Sequence, residues 1–409
     1  MTKRLYYHDA YTTKFNARIV ERFQHKGSLA IVLDQTYFYP TSGGQPYDLG
    51  TLNDLPVTNV LVRPEDNVIA HIVSGEIWSD EVTGQIDWRR RFDHMQQHTG
   101  QHILSQAFLR AAEAETVSFH LGSENATIDL QGAGLKPNHI EQAEFIANQI
   151  IWENKPVTAA MVSKEEADRL PLRKVPTVED EQLRIIEIKE FDLTACGGTH
   201  VTHTGEIGMI KIIKLEKRKE ELRVEFLCGR RALVDYRQKN RIVSQLANEL
   251  TTGYSEIEAS VLRLRDEVKL SRRLMKQQLA HSLSIEAEYL LNHGTRKGDI
   301  IIVAEVFSGR DATELRMLAN QIIQTPKSIA LLGVADSTSQ LIFARSADAP
   351  GEMNQLIKPA LQVLGSATGG GTTTFAQGGG PAADKERMEQ ALQRAERLLL
   401  AQLPPGQLP

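Results

Sequence analysis

Two short motifs, HTGQH and CGGTH, supply four side chains that can bind a metal ion: His98, His102, Cys196 and His200. The histidines of the first motif are four residues apart, so on a helix they project from one face, a turn apart. The second pair has the same spacing, but two glycines between its members favour a turn. Three imidazoles and one thiolate suit Zn²⁺, which accepts nitrogen and sulfur ligands in a tetrahedron. With only twelve His and two Cys in the chain, the repeated spacing predicts one zinc ion per chain. The alternative is a surface histidine pair and an unrelated buried cysteine.

Length and composition indicate a soluble protein of several domains. The 409 residues exceed what one hydrophobic core normally serves, so two to four domains are expected. With 41% hydrophobic and 24% charged residues, the composition is that of a globular protein. No apolar run approaches the ~18 residues of a membrane span, and the N-terminus lacks the apolar segment of a secretory signal. Two cysteines provide no disulfide framework, so we expect a cytoplasmic location and no membrane contact.

The charge pattern argues against a uniformly basic nucleic-acid-binding surface. The formal net charge is −5 at pH 7, so unspecific binding of nucleic acid over the whole protein is not expected. Two local basic strips are candidates for contact with phosphate, Arg89–Arg91 and residues 211–219. Runs of charge are more commonly solvated faces, which is the alternative for each strip.

The first 88 residues are predicted to be β structure. From Ala17 to about Trp88, short apolar runs are broken by Gly, Pro, Asn and Asp, and helical periodicity is hard to find. A small β-barrel over residues 1–88 is the natural way to bury such strands. The segment 38–50, FYPTSGGQPYDLG, interrupts them. Its Pro and Gly residues predict a loop where the backbone approaches a neighbouring group closely.

Residues 89–232 are predicted to form one α+β domain around the two motifs. A helix of moderate amphipathicity begins near Arg91 and carries the histidine pair. A hairpin is predicted at 117–132, a second helix at about 138–153, and further strands on both sides of CGGTH. Asp93 is a candidate to orient a metal-bound histidine by accepting its second N–H.

A helical segment follows at 233–293. The 4,3,4 spacing of Ile257, Val261, Leu264 and Val268 is the start of a heptad pattern. It predicts a long helix or helical hairpin that acts as a spacer or pairing element. Helices folded back on a neighbouring domain would explain the pattern equally well.

The remaining residues, 294–409, alternate strands and helices, which indicates an α/β domain. A glycine-rich segment, GSATGGGTTTFAQGGG at 365–380, precedes a helix predicted at about 383–402. Such a loop can hold phosphate on its backbone N–H groups, and a purely structural turn is the alternative. It lacks the Walker and dinucleotide-binding patterns, so ATP or NAD binding is not expected. The predicted class of the whole chain is α+β multidomain.

Four strings in a fixed order resemble those of one family: FYPTSGGQPYDLG, HTGQH, CGGTHVTHTGEIG and GGGTTTFAQGGG. Nearly end to end, the chain is similar to the free-standing, long-form alanyl-tRNA editing proteins (AlaX type), which are relatives of the editing and C-terminal parts of alanyl-tRNA synthetase. The two metal-binding motifs are also shared with the editing domain of threonyl-tRNA synthetase. The SGGQ loop and the glycine-rich C-terminal domain narrow the resemblance to the alanyl group. In the synthetase, a large aminoacylation domain precedes the barrel. This sequence starts at the barrel, so no ATP-driven charging of tRNA is expected.

The resemblance implies a zinc-dependent aminoacyl-tRNA deacylase. It places the four motif residues named above in the zinc-ligand positions. It places Thr41 and Gln45 in the loop that lines the amino-acid pocket, where they are candidates for recognising the serine hydroxyl. Residues 294–409 resemble the DHHA1 domain, which is associated with tRNA binding and dimer formation. The implied partners are the acceptor end of tRNA(Ala) and a second copy of the chain, held through the helical or the C-terminal domain.

The implied reaction is hydrolysis of the ester joining serine, and also glycine, to tRNA(Ala). Zinc would either acidify the attacking water or hold the substrate's amino or hydroxyl group, and four protein ligands favour the second use. Two other functions remain open. One is a non-catalytic, zinc-stabilised tRNA-binding protein, and the other is a zinc hydrolase of small esters or amides.

Overall fold

The computed structural model describes residues 2–132, 134–174, 182–366 and 368–402. The chain divides into two compact units, Met1–Glu249 and Leu250–Pro409. Each unit contains helices and strands, so the predicted α+β multidomain class is confirmed. The boundary between the units falls inside the segment expected to be a helical spacer. The finer division into four domains stays a prediction.

Eight short strands open the first unit. They are β1 (Lys3–Arg4), β2 (Lys14–His25), β3 (Ser28–Leu33), β4 (Gln35–Thr36), β5 (Gly50–Leu52), β6 (Leu55–Val62), β7 (Ile69–Val73) and β8 (Glu81–Ile86). Six of them close into a barrel in the order β2-β3-β7-β6-β5-β8. The first half of β2 alternates exposed and buried residues, the period of a strand with one face on a core. Phe15, Ile31 and Leu52 belong to that core.

The remainder of the first unit mixes helices with two small sheets. Its helices are α1 (Trp88–Ala112), α2 (Pro137–Trp152), α3 (Lys164–Ala167) and α4 (Gly229–Glu249). Its strands are β9 (Thr116–Leu121), β10 (Ala126–Gln131), β11 (Val157–Ser163), β12 (Gln182–Ile188), β13 (Asp192–Ala195), β14 (Ile210–Arg218) and β15 (Glu221–Cys228). The sheets have the orders β14-β15-β10-β9 and β11-β12-β13. The hairpin expected at 117–132 is the antiparallel pair β9–β10.

Helix α1 is the central element of the first unit. Asp87 caps its first turn by accepting a hydrogen bond from the Arg90 N–H, and Glu113 ends it in a left-handed backbone conformation. The sequence predicted moderate amphipathicity, but from Arg91 to Phe108 nearly every side chain is buried. A helix covered on all sides belongs in a core, and its polar residues therefore need partners there.

The second unit contains one long helix and a six-stranded sheet with three further helices. The helices are α5 (Ile257–His293), α6 (Ala312–Ile322), α7 (Met353–Val363) and α8 (Lys385–Gln402). The strands are β16 (Thr295–Lys297), β17 (Ile300–Phe307), β18 (Ser328–Val334), β19 (Ser339–Arg345), β20 (Gly369–Gly371) and β21 (Phe375–Gly380). The sheet order is β16-β17-β18-β19-β21-β20, and only the β17–β18 pair is parallel among its described neighbours. The predicted alternation of strands and helices is present.

The glycine-rich segment is mostly strand, which corrects the expectation of a loop. Strands β20 and β21 pair antiparallel, and β21 also pairs with β19. Backbone N–H groups that face a neighbouring strand serve the sheet. Fewer of them remain for a phosphate than an open loop would offer.

Three of the four heptad residues of α5 are exposed. Val261, Leu264 and Val268 retain 50%, 47% and 49% of their accessible surface, so this part of the expected pairing element is uncovered by the described residues of its own unit. None of the described helices is both long and apolar enough to cross a membrane. The cytoplasmic location stays a prediction.

Candidate metal centre

The structure brings together two motifs that lie far apart in the sequence of the first unit. Helix α1 carries His98 and His102 on one face, and the loop after β13 carries Cys196 and His200. One ligand atom from each of the four lies within 4.8 Å of all the others. The Cys196 sulfur is 3.4 Å from Nε2 of His98 and 3.3 Å from Nε2 of His200. Nitrogen and sulfur donors at this separation fit the first shell of a zinc ion.

Two of the three histidines have an Nδ1 that is hydrogen-bonded to a residue outside the group. Nδ1 of His98 lies 2.8 Å from Gln45 Oε1, and Nδ1 of His200 lies 3.1 Å from Thr99 Oγ1. The Gln45 carbonyl oxygen can only accept, so His98 carries its proton on Nδ1 and leaves Nε2 for a metal. The Thr99 hydroxyl orients the His200 ring and can either accept or donate. The sequence did not reveal the role of Thr99, although this residue directly follows a ligand in the HTGQH motif.

Asp192 is the partner of the third histidine. Its Oδ2 is 3.3 Å from His102 Nδ1, but the contact lacks hydrogen-bond alignment, since this Nδ1 has no hydrogen-bond partner. Arg173 holds the carboxylate from the other side, with Nε 2.7 Å from Oδ1. Burial raises the pKa of Asp192, but His102 and Arg173 outweigh it and bring the pKa to about 2. A charged carboxylate therefore stands behind the imidazole.

Asp93, a candidate for orienting a metal-bound histidine, has a different partner. Its carboxylate binds Arg231 at 2.6 Å. The carboxylate beside a candidate ligand is that of Asp192, which lies four residues before Cys196 in the sequence. A carboxylate that close to a ligand motif was a usable signal.

The surroundings of Cys196 favour its thiolate form. Burial raises its pKa, but the imidazoles of His98, His200 and His102 outweigh burial and hold that pKa well below the ordinary value. The thiolate is the form that binds metal. Cys228 is the opposite case, because burial raises the pKa of its thiol above the ordinary range, and it lies in the core cluster beside α1.

The CGGTH loop requires glycine next to His98. A Cβ placed on Gly198 would lie 2.1 Å from Cε1 of His98, so no larger residue fits without moving the imidazole. Arg184 holds the same loop in place, because its Nη1 donates to the carbonyl oxygens of Cys196 at 2.9 Å and Gly198 at 2.8 Å. Nothing in the local sequence distinguished Arg184 from other strand residues.

The SGGQ loop approaches the site from the barrel. Gly44 has a left-handed backbone with φ of 83°, and a Cβ there would lie 2.8 Å from the Phe119 carbonyl oxygen. The Gly44 carbonyl accepts a hydrogen bond from Leu121 N–H at 3.1 Å, which joins the loop to β9. The close backbone approach expected from these glycines is present.

Gln45 and Thr41, the two residues expected to face the substrate, differ in burial and in contacts. Gln45 is fully buried. Besides its contact with His98, its Oε1 accepts from Thr199 N–H at 3.1 Å and its amide donates to Thr199 Oγ1 at 2.8 Å. Thr41 is exposed, and its hydroxyl oxygen accepts from Tyr47 N–H at 3.2 Å. Gln45 thus supports a candidate ligand, whereas Thr41 braces its own turn.

A cavity of about 300 Å³ lies against the metal-binding group. His98, His102 and Cys196 line it, together with Phe119, Arg173 and Lys174 among others. Neither Thr41 nor Gln45 is among its lining residues. A volume of this size accommodates one small ligand group.

The basic strip ahead of the first motif is not a uniform surface. Arg91 is fully buried and forms an ion pair with the equally buried Asp48, so this residue of the strip serves the core. Arg89 and Arg90 line a separate cavity of about 840 Å³. That cavity is the larger of the two, but none of the four metal-binding side chains lines it.

Known proteins resemble the chain over nearly its whole length. The alanyl-tRNA editing protein AlaX-L of Pyrococcus horikoshii is 31% identical over 414 residues, covering 96% of this chain and 98% of its own. The chain belongs to the family of alanyl-tRNA editing proteins. The alanine–tRNA ligase of Pyrococcus furiosus is 30% identical over 81% of this editing protein and 37% of its own length. That of Pyrococcus abyssi is 28% identical over 97% and 44%. The editing protein therefore spans less than half of these ligases.

Two family models match parts of the editing protein. The threonyl and alanyl tRNA synthetase second additional domain matches residues 183–225, which include Cys196 and His200. The class II (A) tRNA synthetases match residues 2–90. The solved C-Ala domain from Aquifex aeolicus alanyl-tRNA synthetase is 26% identical over 25% of this chain and 96% of that one, with a TM-score of 0.22.

Proposed function

We propose that this editing protein hydrolyses the ester of mischarged tRNA(Ala), with seryl-tRNA(Ala) as the main substrate and glycyl-tRNA(Ala) as a second one. The observation that carries the proposal is the group of four metal-binding side chains beside a small cavity, in a chain that matches an alanyl-tRNA editing protein end to end. Aminoacyl esters are activated, so little catalysis is needed beyond positioning and stabilisation of the developing oxyanion.

The residues present fit one zinc ion per chain. Three imidazoles and a thiolate favoured by its surroundings form a donor set typical of zinc. Zinc bound there would supply either an acidified water or an attachment point for the substrate's amino or hydroxyl group. The four protein ligands favour the attachment role.

Gln45 acts as a positioning residue in this proposal. The polar atoms of its buried side chain are hydrogen-bonded to His98 and Thr199, so it affects the substrate through His98. A serine-specific site needs a group that is left unpaired when alanine is bound. Contact between Thr41 and the serine hydroxyl stays a prediction, although the hydroxyl braces its own turn.

The remaining family features also enter as proposals. Residues 294–409 would be a DHHA1-like domain that contributes to binding of tRNA(Ala). A homodimer would form through the helical or the C-terminal domain, and the exposed heptad residues of α5 support that assembly.

The direct experiment compares deacylation of seryl-, glycyl- and alanyl-tRNA(Ala) by the zinc-loaded protein. We expect hydrolysis of the first two and little of the third, and loss of activity when a chelator removes the metal. The Thr41→Val variant tests the remaining contact, because loss of a serine-specific hydrogen bond would lower kcat/KM for the seryl substrate but not for the glycyl one.

A non-catalytic, zinc-stabilised tRNA-binding protein is the second candidate. The observation that favours it is the complete set of four ligands, which is typical of structural zinc sites. Binding of tRNA(Ala) without hydrolysis of any of the three aminoacyl esters by the zinc-loaded protein would establish this alternative and overturn the first proposal.

A further inference from the structure

The cavity beside the metal-binding group leads from buried residues to the surface. At its inner end His98 and His102 are each 3% exposed. Its exposed lining residues, at the outer end, are Ser42, Gly43, Val117, Ser118, Lys174 and Gly197. Lys174 is the one charged residue among these exposed lining residues, so the part of a substrate that does not fit inside the cavity lies near a cationic side chain.

The outer end of the cavity is positively charged, although the protein as a whole is acidic. Arg173 and Lys174 are neighbours on its wall, and its described lining residues include no Asp or Glu. The chain carries a formal net charge of −5. Asp192 balances the charge of Arg173, so Lys174 supplies the net positive charge and Arg173 an N–H donor, a combination that attracts an anion.

Among the described residues, the guanidinium of Arg173 is hydrogen-bonded only through Nε and Nη2. Asp192 accepts from Nε at 2.7 Å and from Nη2 at 3.3 Å, and the arginine side chain is 10% exposed. This pairing fixes the plane of the guanidinium and leaves Nη1 available as a donor.

Lys174 is exposed and held less firmly than Arg173. Its only hydrogen bond among the described residues is a 3.4 Å contact from Nζ to the Val117 carbonyl. Such a long contact on an exposed side chain is weak and easily exchanged for an anion. Arg173 thus offers a donor in a fixed position, and Lys174 offers one that can be redirected towards an anion.

We propose that Arg173 and Lys174 bind the phosphodiester of the terminal nucleotide at the acceptor end of the tRNA. This inference rests on the proposed function. The ester to be hydrolysed and this phosphodiester are attached to the same ribose, so a nucleotide with its aminoacyl group at the buried metal-binding group places its phosphate towards the outer end of a cavity of about 300 Å³. Arg173 and Lys174 line that cavity and can contact a phosphate there.

The proposal explains how the site selects an aminoacylated nucleic acid over a free amino-acid ester. A small ester offers no phosphate to the two cations and gains nothing from them. The phosphate contact also makes binding sensitive to salt. Each phosphate neutralised on a single strand adds a slope of roughly −0.7 to the dependence of log affinity on log salt concentration.

The test uses Lys174→Ala in the full zinc-loaded chain, because this exposed side chain is not needed for the ion pair of Asp192. We expect kcat/KM for seryl-tRNA(Ala) to fall about tenfold, as for a lost charge-assisted hydrogen bond. The slope of log affinity for tRNA against log salt concentration should become less negative by about 0.7. Hydrolysis of 2′(3′)-O-seryl adenosine, which has the ester but no phosphate, should stay unchanged. Lys174→Arg should restore most of the activity on tRNA.

Lys14→Ala is the matched control, since Lys14 is an exposed lysine of the same unit, on β2, that lines neither cavity described above. It should leave both substrates unaffected. Equal losses for seryl-tRNA(Ala) and seryl adenosine in Lys174→Ala, or no loss for either, would overturn the phosphate assignment.

The affinity for uncharged tRNA(Ala) separates failure of this inference from failure of the proposed function. If the wild-type protein hydrolyses neither ester, the proposed function fails. The phosphate contact is then judged on binding alone, where Lys174→Ala must still weaken the complex and flatten its salt dependence. Wild-type affinity and slope in that variant would refute it.

Discussion

Removal of the Gln45 acceptor should weaken metal binding without touching a metal ligand. Gln45→Met keeps the length and most of the volume of this fully buried side chain. It removes the oxygen that lies 2.8 Å from His98 Nδ1 and 3.1 Å from Thr199 N. The imidazole then loses the contact that fixes its tautomer and orientation.

The expected size of the effect follows from these contacts. Loss of an outer partner of a metal-bound histidine typically lowers metal affinity ten- to a hundredfold. Two buried donors are also orphaned, at about 1–3 kcal/mol each, so the metal-free protein should lose roughly 2–6 kcal/mol of unfolding free energy before relaxation. The two effects are separable because one depends on metal concentration and the other does not.

The assay is competition for zinc with a chromophoric chelator, with urea unfolding of the metal-free protein measured in parallel. Gln45→Glu should keep most of the affinity, because a carboxylate still offers oxygens to both donors. Gln101→Met is the matched control, since this buried glutamine on α1 donates to Ser105 and to no ligand. Wild-type zinc affinity in Gln45→Met would refute the positioning role.

Two further predictions concern packing and pH. In Gly198→Ala, the new Cβ would lie 2.1 Å from His98 Cε1, so elemental analysis of the folded variant should find well below one zinc per chain, and a full complement would contradict this steric argument. Burial lowers the pKa of His71 in the barrel from 6.5 to about 4, so its stabilising contribution is present above about pH 6.5 and is lost as the pH falls towards 4. In His71→Gln, the slope of the unfolding free energy against pH in that range should be smaller than in the wild type by about 1.4 kcal/mol per pH unit. An unchanged slope would exclude a lowered pKa of His71 as its cause.

Local patterns predicted much of the secondary structure because they depend on near neighbours in the chain. The strands of the barrel region, the hairpin at 117–132 and the helices of the second unit follow apolar periodicity and turn residues. Glycine-rich 365–380 was predicted as a loop but forms β20 and β21, since pairing with β19 is a long-range contact that the segment itself does not encode. Arg91 was predicted as part of a basic strip but is buried in an ion pair. Its partner Asp48 lies 43 residues away in the sequence, so no local pattern indicates the pair.

By itself, the sequence determined which side chains could bind a metal ion. His98 and His102 are spaced by one helical turn, and residue type and local spacing are properties of a short segment. Tertiary structure alone decided what supports them. Gln45 reaches His98 across 53 residues of sequence, and Arg173, which lines the cavity, pairs with Asp192 on a different segment. Such partners are chosen by the packing of distant elements around buried polar atoms that each require a hydrogen bond, and no local pattern records that choice.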